Sequence, residues 1–349
     1  MKQVLTVSPS PHLRDNLDIK GVMYAVVLAL VPAAVGSIYF FGLRALVVIV
    51  VASLSAVITE AACQRAIGRK ITVADSSALV TGILLAFTLP PGVPYWLPAV
   101  GSVFAIGIAK LPFGGLGYNP FNPALAARAF LLASWPVYMT AAWIAPSRGS
   151  LSGTMGTNAI TGATPLGVFR MARHILADPS SSFQRVALAN DNLKYLYSGD
   201  SLKNLFFGNR GGSIGETSVL LLSIGAAYLL IRRIICWRIP VSYLLTVALM
   251  AWIMGGQGLF HGNALFHVLS GGLVLGACFM ATDPVTSPVT PGGRLIFGFG
   301  CGVITSVIRL KGGYPEGVCY AILIMNITVP LIDRLTRPRI FGEVKPARC

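Results

Sequence analysis

The strings SALVTGILLAFTLP at residues 77–90 and GGLVLGACFMATDP at residues 271–284 decide how this chain folds. Each is an apolar run that stops at a proline, and they agree at Leu79/Leu273, Val80/Val274, Gly82/Gly276 and Pro90/Pro284, a constant offset of 194. Further on, Gly114-Gly115 matches Gly312-Gly313 at an offset of 198, so the loop of the second copy is four residues longer. The chain therefore contains an internal repeat.

Hydropathy around these strings reads as ten membrane spans: 21–41, 43–62, 76–90, 95–112, 121–138, 217–236, 239–255, 264–282, 293–310 and 315–335. The repeat pairs the third span with the eighth, the fourth with the ninth and the fifth with the tenth. A shift of five spans is odd, so the two copies lie in opposite orientations across the bilayer. Inverted repeats are an architecture of membrane transporters, and their sites fall where matched helices are broken. Both copies are broken at matched places, at Leu89-Pro90-Pro91-Gly92 and at Thr282-Asp283-Pro284.

Composition agrees with that reading. Of 349 residues, 54% are apolar, mean hydropathy is +0.72 and only 11% are charged, against roughly 25% in soluble domains. Runs such as 21–41, 217–235 and 264–282 are nearly free of charge. Each has the roughly 20 residues that a helix needs to cross the hydrocarbon layer, which excludes a soluble enzyme. The first twenty residues lack the basic-then-apolar order of a cleavable signal, so the first span is expected to be an uncleaved anchor.

The net charge of +15 sits mostly at span ends and carries no basic stripe with interleaved aromatics. It is therefore expected to set orientation in the bilayer, with no nucleic-acid partner. With both termini inside, sixteen basic residues fall on inner loops and three, Arg44, Arg309 and Lys311, on short outer loops. The expected domains are an inner N-terminal segment (1–20), a first five-helix repeat (21–139), an outer polar segment (140–216), a second repeat (217–335) and an inner tail (336–349). The six cysteines include no C-x-x-C pair, and His261 and His267 do not share a helix face. No in-chain four-thiolate cluster, metal site or bis-histidine haem is expected, while a cluster shared with another subunit stays open.

Three places carry candidate chemistry. In Thr161-Gly162-Ala163-Thr164-Pro165-Leu166, Thr164 is a favoured N-cap and Pro165 a favoured first helical residue. The helix that follows has an apolar side of Leu166, Phe169 and Ala172, expected to lie against the membrane bundle. Its free backbone N–H groups suit a phosphate, although an ordinary capped helix fits the same residues. Asn119-Pro120 and Asn122-Pro123 open the fifth span, either as caps or as amide donors to a planar heteroaromatic ring. Asp283, at the end of the eighth span, fits either an ion path or the cap of a turn before Pro284. Arg128 is expected to snorkel or pair, and Glu60 and Glu216 to be ordinary interfacial charges. No catalytic acid, base or nucleophile is evident.

Thr161-Gly-Ala-Thr164 resembles the flavinylation motif of a family of membrane subunits, those lettered D in Rnf ferredoxin:NAD oxidoreductases and B in sodium-pumping NADH:quinone oxidoreductases. Ser8-Pro-Ser-Pro-His12, Gly114-Gly-Leu-Gly-Tyr-Asn119-Pro-Phe-Asn122-Pro-Ala124, Ala281-Thr-Asp283-Pro284, Gly293-Arg294-Leu-Ile-Phe-Gly298 and Gly312-Gly313-Tyr-Pro315-x-Gly317 are similar to the same family. So is the ending Pro330-Leu-Ile-Asp333-x-x-Thr-Arg337-Pro-Arg339. Length favours the Rnf branch.

The resemblance implies a covalent FMN, joined by a phosphodiester to the Thr164 oxygen by a flavin transferase outside the cytoplasm, with Thr161, Gly162 and Ala163 as the rest of the motif. It also implies a noncovalent riboflavin near Asn119 and Asn122, a bacterial inner-membrane location and partner subunits A, B, C, E and G. Electron transport would be coupled to Na⁺ or H⁺, with electrons arriving from an outward-facing flavoprotein subunit. One departure is Asn158, where the family usually carries Asp. The inverted five-helix repeat is similar to urea transporters, so a solute channel is a rival reading, as is a scaffold with an unused site.

Overall fold

The computed structural model describes residues 18–69, 71–146, 149, 163–256, 258–314 and 316–338. Among these residues the chain is helical, with no strand. Four helices are long and apolar enough to cross a membrane alone: α1 (Ile19–Phe41) and α2 (Leu43–Ala66) near the start, and two near the end. Between them lie shorter apolar helices, α3 (Ser77–Phe87), α4 (Trp96–Gly107) and α5 (Pro123–Ser134), with the small α6 (Pro136–Ala141) after a break at Trp135-Pro136. The 11 residues of α3 reach only about 17 Å, roughly half of a membrane. Pro90 stops this helix because it has no N–H to continue the ladder.

The polar segment 140–216, expected to carry one amphipathic helix after Thr164, holds three helices among its described residues: α7 (Pro165–Ala177), α8 (Phe183–Leu196) and α9 (Gly199–Phe207). The apolar face of α7 is buried as predicted, at Leu166, Phe169 and Ala172. It closes a small core with Leu196, Leu205 and Phe266, so these helices pack on the bundle.

The second half repeats the first: α10 (Val219–Ile231), α11 (Arg238–Met254), the broken eighth span of α12 (Ala264–Leu269) and α13 (Leu273–Leu275), then α14 (Pro291–Lys311) and α15 (Val318–Leu335). A π-helical turn, Gly276–Met280, carries α13 onward. Contacts follow the inverted-repeat pairing. The α2–α4 and α4–α5 contacts are answered by α11–α14 and α14–α15, while α1 meets α10 and α5 meets α15 across the halves. Small residues allow the close approaches. A Cβ on Gly82 would sit 2.6 Å from the Ser53 Cα, and one on Gly225 2.0 Å from the Ala29 carbonyl oxygen.

The break in span eight would leave helix carbonyls unpaired in an apolar setting. Arg309 supplies the donors, Nη1 to His267 O at 2.6 Å and Nη2 to Ser270 O at 3.1 Å. Arg309 and Lys110 are therefore buried structural cations, not loop charges. The charge comparison loses one residue on each side, and its asymmetry stands.

Candidate functional site

Helix α5 has a cavity at each end. Asn122 opens it, with Oδ1 accepting from the N–H groups of Ala124 at 3.1 Å and Leu125 at 3.3 Å. The Asn122 amide nitrogen donates to Met280 O at 3.3 Å. Asn119 likewise donates to Phe121 O at 2.9 Å. Asn122 thus caps α5, whereas Asn119 braces the turn ahead of it. Asp283 caps its own turn, accepting from the Val285 N–H at 3.2 Å and the Thr286 hydroxyl at 3.4 Å.

The fold nevertheless gathers Asn119, Asn122 and Asp283 around one cavity of about 80 Å³, which Lys110 also lines. Small-molecule pockets run to roughly 300–1,000 Å³, so the tricyclic riboflavin ring implied for this place does not fit as the side chains stand.

Glu60 is not the interfacial charge expected of it. It is 1% exposed and accepts from Lys110 Nζ at 2.8 Å, while the same nitrogen donates to Ser77 Oγ at 2.6 Å. A buried pair of this kind is held by mutual compensation: either charge alone would be strongly unfavourable.

The other end of α5 carries the larger cavity, about 340 Å³, bounded by Arg128, Ala163, Thr164, Arg170, Tyr314 and Tyr320 among others. Thr164 is the N-cap of α7, in extended conformation, with Pro165 next. Its Oγ1 accepts from the Gly167 N–H at 3.2 Å, so the hydroxyl stands at the positive end of the helix. Thr161 and Gly162 lie outside the described residues. Arg128 pairs with Glu316 and Arg170 donates to the Gly313 carbonyl, which ties α5, α7 and the turn before α15 together.

The chemistry suits a flavin phosphate. A threonine hydroxyl borders the cavity, backbone donors and two guanidinium groups lie near it, and two tyrosines offer aromatic surface. The volume is at the lower end of the small-molecule range.

Two carboxylates of this end escaped the sequence reading. Glu316 sits inside the Gly-Gly-Tyr-Pro turn and was passed over. A signal existed, because the repeat places α15 opposite α5, which carries the membrane-embedded cation Arg128. Glu216, expected as an interfacial charge, instead has a buried Oε1 with no hydrogen-bond partner.

Fold and cavities together define a multi-pass membrane protein of the inverted-repeat class, with one cavity, apolar over most of its lining, at either end of a short central helix. The chain belongs to the NQR2, RnfD, RnfE family, whose model matches residues 6–342. It is 46% identical over 342 residues to the D component of the proton-translocating ferredoxin:NAD(+) oxidoreductase complex of Clostridium ljungdahlii, covering 98% of this chain and 97% of that one. It is also 46% identical over 343 residues to the D component of the Na(+)-translocating ferredoxin:NAD(+) oxidoreductase complex of Acetobacterium woodii, covering 98% and 96%. The D component of an ion-translocating oxidoreductase complex of Escherichia fergusonii is 39% identical over 357 residues, covering 98% and 99%. The resemblance to the Rnf branch is borne out.

Proposed function

We propose that this chain is the membrane subunit through which an ion-translocating ferredoxin:NAD⁺ oxidoreductase passes electrons, with FMN held covalently at Thr164. Near-full-length similarity to components of complexes with that name supports the assignment to such a complex. The single observation that carries the flavin is the N-cap hydroxyl of Thr164 in the wall of a cavity of about 340 Å³.

When bound, FMN supplies one- and two-electron transfer, which amino-acid side chains do not provide. The protein's part is placement and charge. Thr164 Oγ1 would carry the phosphodiester, and the N–H groups at the start of α7 together with Arg170 would offset the phosphate charge. Tyr314 and Tyr320 provide the cavity wall on which a planar ring can pack.

At the other end, Asp283 beside Lys110 is the carboxylate we assign to the ion path. A riboflavin held by Asn119 and Asn122 would need their cavity to widen. The chain would sit in the bacterial inner membrane with both termini in the cytoplasm. There it would work with Rnf subunits A, B, C, E and G, after a flavin transferase has acted on its outer face.

Deleting the chain should abolish NAD⁺ reduction by reduced ferredoxin in membrane vesicles, together with the ion gradient that accompanies it. The two relatives of equal identity name different ions, so the assay is run with and without Na⁺. A full coupled rate in the deleted vesicles would contradict the proposal.

A further inference from the structure

The break in span eight gathers polar atoms that the proposed electron path does not use. A Cβ on Gly272 would sit 2.6 Å from Glu216 Oε1, and one on Gly271 3.1 Å from Arg309 Nη2 and 3.9 Å from Glu316 Cγ. Glu216, Glu316 and Arg309 therefore converge on Ser270-Gly271-Gly272. Glu316 is paired with Arg128, and Arg309 is committed through both Nη atoms to the broken helix.

Glu216 Oε1 has no partner. Three more polar atoms at this break, His267 Nε2, Ser270 Oγ and Arg309 Nε, are also unpartnered, in residues 1%, 0% and 4% exposed. Buried polar atoms are normally satisfied by protein or by ordered water. A void of about 20 Å³ lies against this place, lined by Thr164, Glu216, Glu316 and Arg210 among others. That is room for about one water, which needs roughly 10–15 Å³. The Thr164 cavity and the void share Thr164 and Glu316 as lining residues, so a water-mediated route from the outer cavity to Glu216 is short.

We propose that Glu216 is the proton-holding carboxyl of this end of the membrane domain, exchanging its proton with the Thr164 cavity as charge arrives there. The inference rests on the assignment of a redox group to Thr164. When one electron reaches that group, one proton from the outer water adds to the Glu216 carboxylate and forms an O–H bond. When the electron leaves, that bond breaks and the proton returns to the water.

The surrounding groups fit the role. Arg128 from α5 and Arg309 from α14 keep the carboxylate form accessible, while Glu316, ahead of α15, opposes it. Glu216 lies in the connecting segment ahead of α10. Burial, and then the Glu316 carboxylate, push its carboxyl above the ordinary range, against the pull of Arg128.

The test is infrared spectroscopy on the purified complex, wild type against Glu216→Gln and Glu216→Asp. The reduced-minus-oxidised spectrum of the wild type should show a protonated-carboxyl band that shifts in D₂O. Glu216→Gln should lose it, and Glu216→Asp should move it. The midpoint potential of the covalent flavin should fall with rising pH in the wild type, and Glu216→Gln should flatten that slope. Glu216→Asp keeps the question open to decision if the glutamine variant does not assemble.

Denaturing-gel fluorescence of the same preparations tests the flavin separately. If no covalent flavin is present, a pH-step spectrum of the protein must still show a carboxyl band that Glu216→Gln removes. Bands unchanged in both variants would overturn the proposal.

Discussion

Lys110 and Glu60 come from the turn after α4 and from α2, 50 positions apart, and meet at 2.8 Å with both side chains 2% exposed. Removing one partner of a buried pair costs about 3–5 kcal/mol, whereas replacing both by apolar residues is often neutral. Lys110→Met should therefore sharply lower the thermal stability of the purified complex, and Lys110→Met with Glu60→Leu should restore most of it. Equal losses in the single and double variants would show that the pair is not what holds this end together. Asn122 permits a finer test. Asn122→Leu removes the α5 cap, worth about 1 kcal/mol, and with it the bond to Met280, whereas Asn122→Ser keeps a capping oxygen but not the amide donor. If the amide binds a noncovalent flavin, acid-extractable flavin falls in both; if it stays at the wild-type level in the serine variant, capping is the whole role. These residue-level facts were the least legible in the sequence. A charge near a span end looks the same whether it meets water or a partner 50 residues away, and only the fold brings Lys110 to Glu60 or Arg128 to Glu316.

At the scale of elements, the sequence spoke more plainly, because breaks are written in residue types. Pro90, Pro284 and the Gly-Gly pairs each forbid regular helix, and they mark where α3, the π-helical turn after α13 and the loops before α5 and α15 end or begin. The face of α7 was legible from the spacing of Leu166, Phe169 and Ala172. Of the three helices inside 140–216 only α7 was read, since α8 is polar along most of its length and α9 is only nine residues long. The pairing of α1 with α10 depends on Gly225, where a Cβ would fall 2.0 Å from the Ala29 carbonyl oxygen. Gly225→Val should force these helices apart, at about 3 kcal/mol or more, and lower the yield of assembled complex in detergent. Gly292→Ala is the control, because a Cβ there meets nothing within 4 Å. A Gly225→Val complex as stable as the control would contradict the close crossing.

For the whole molecule, the repeat gave the architecture: an odd shift of five spans implies inversion, and the contacts α2–α4 with α11–α14 and α1 with α10 follow it. Orientation in the bilayer is the next thing to test. Reporter fusions after Arg148 and after Arg348 should report the outer and the cytoplasmic side respectively; a cytoplasmic signal after Arg148 would reverse the assignment and put Thr164 on the wrong side for flavin attachment outside the cytoplasm. The flavin itself was legible only through resemblance, because an N-cap threonine before proline is common in helices that carry nothing. What the fold adds is a reason for the position: Thr164 is 8% exposed, at the positive end of α7 and in the wall of the cavity at one end of α5. The most direct measurement of the central claim is flavin fluorescence on the subunit band of a denaturing gel, combined with peptide mass mapping, for wild type and Thr164→Val in the assembled complex. A fluorescent wild-type band, FMN mapped to Thr164 and no fluorescence in Thr164→Val is the predicted result; full covalent fluorescence in Thr164→Val, or FMN mapped to Thr161 instead, would contradict it.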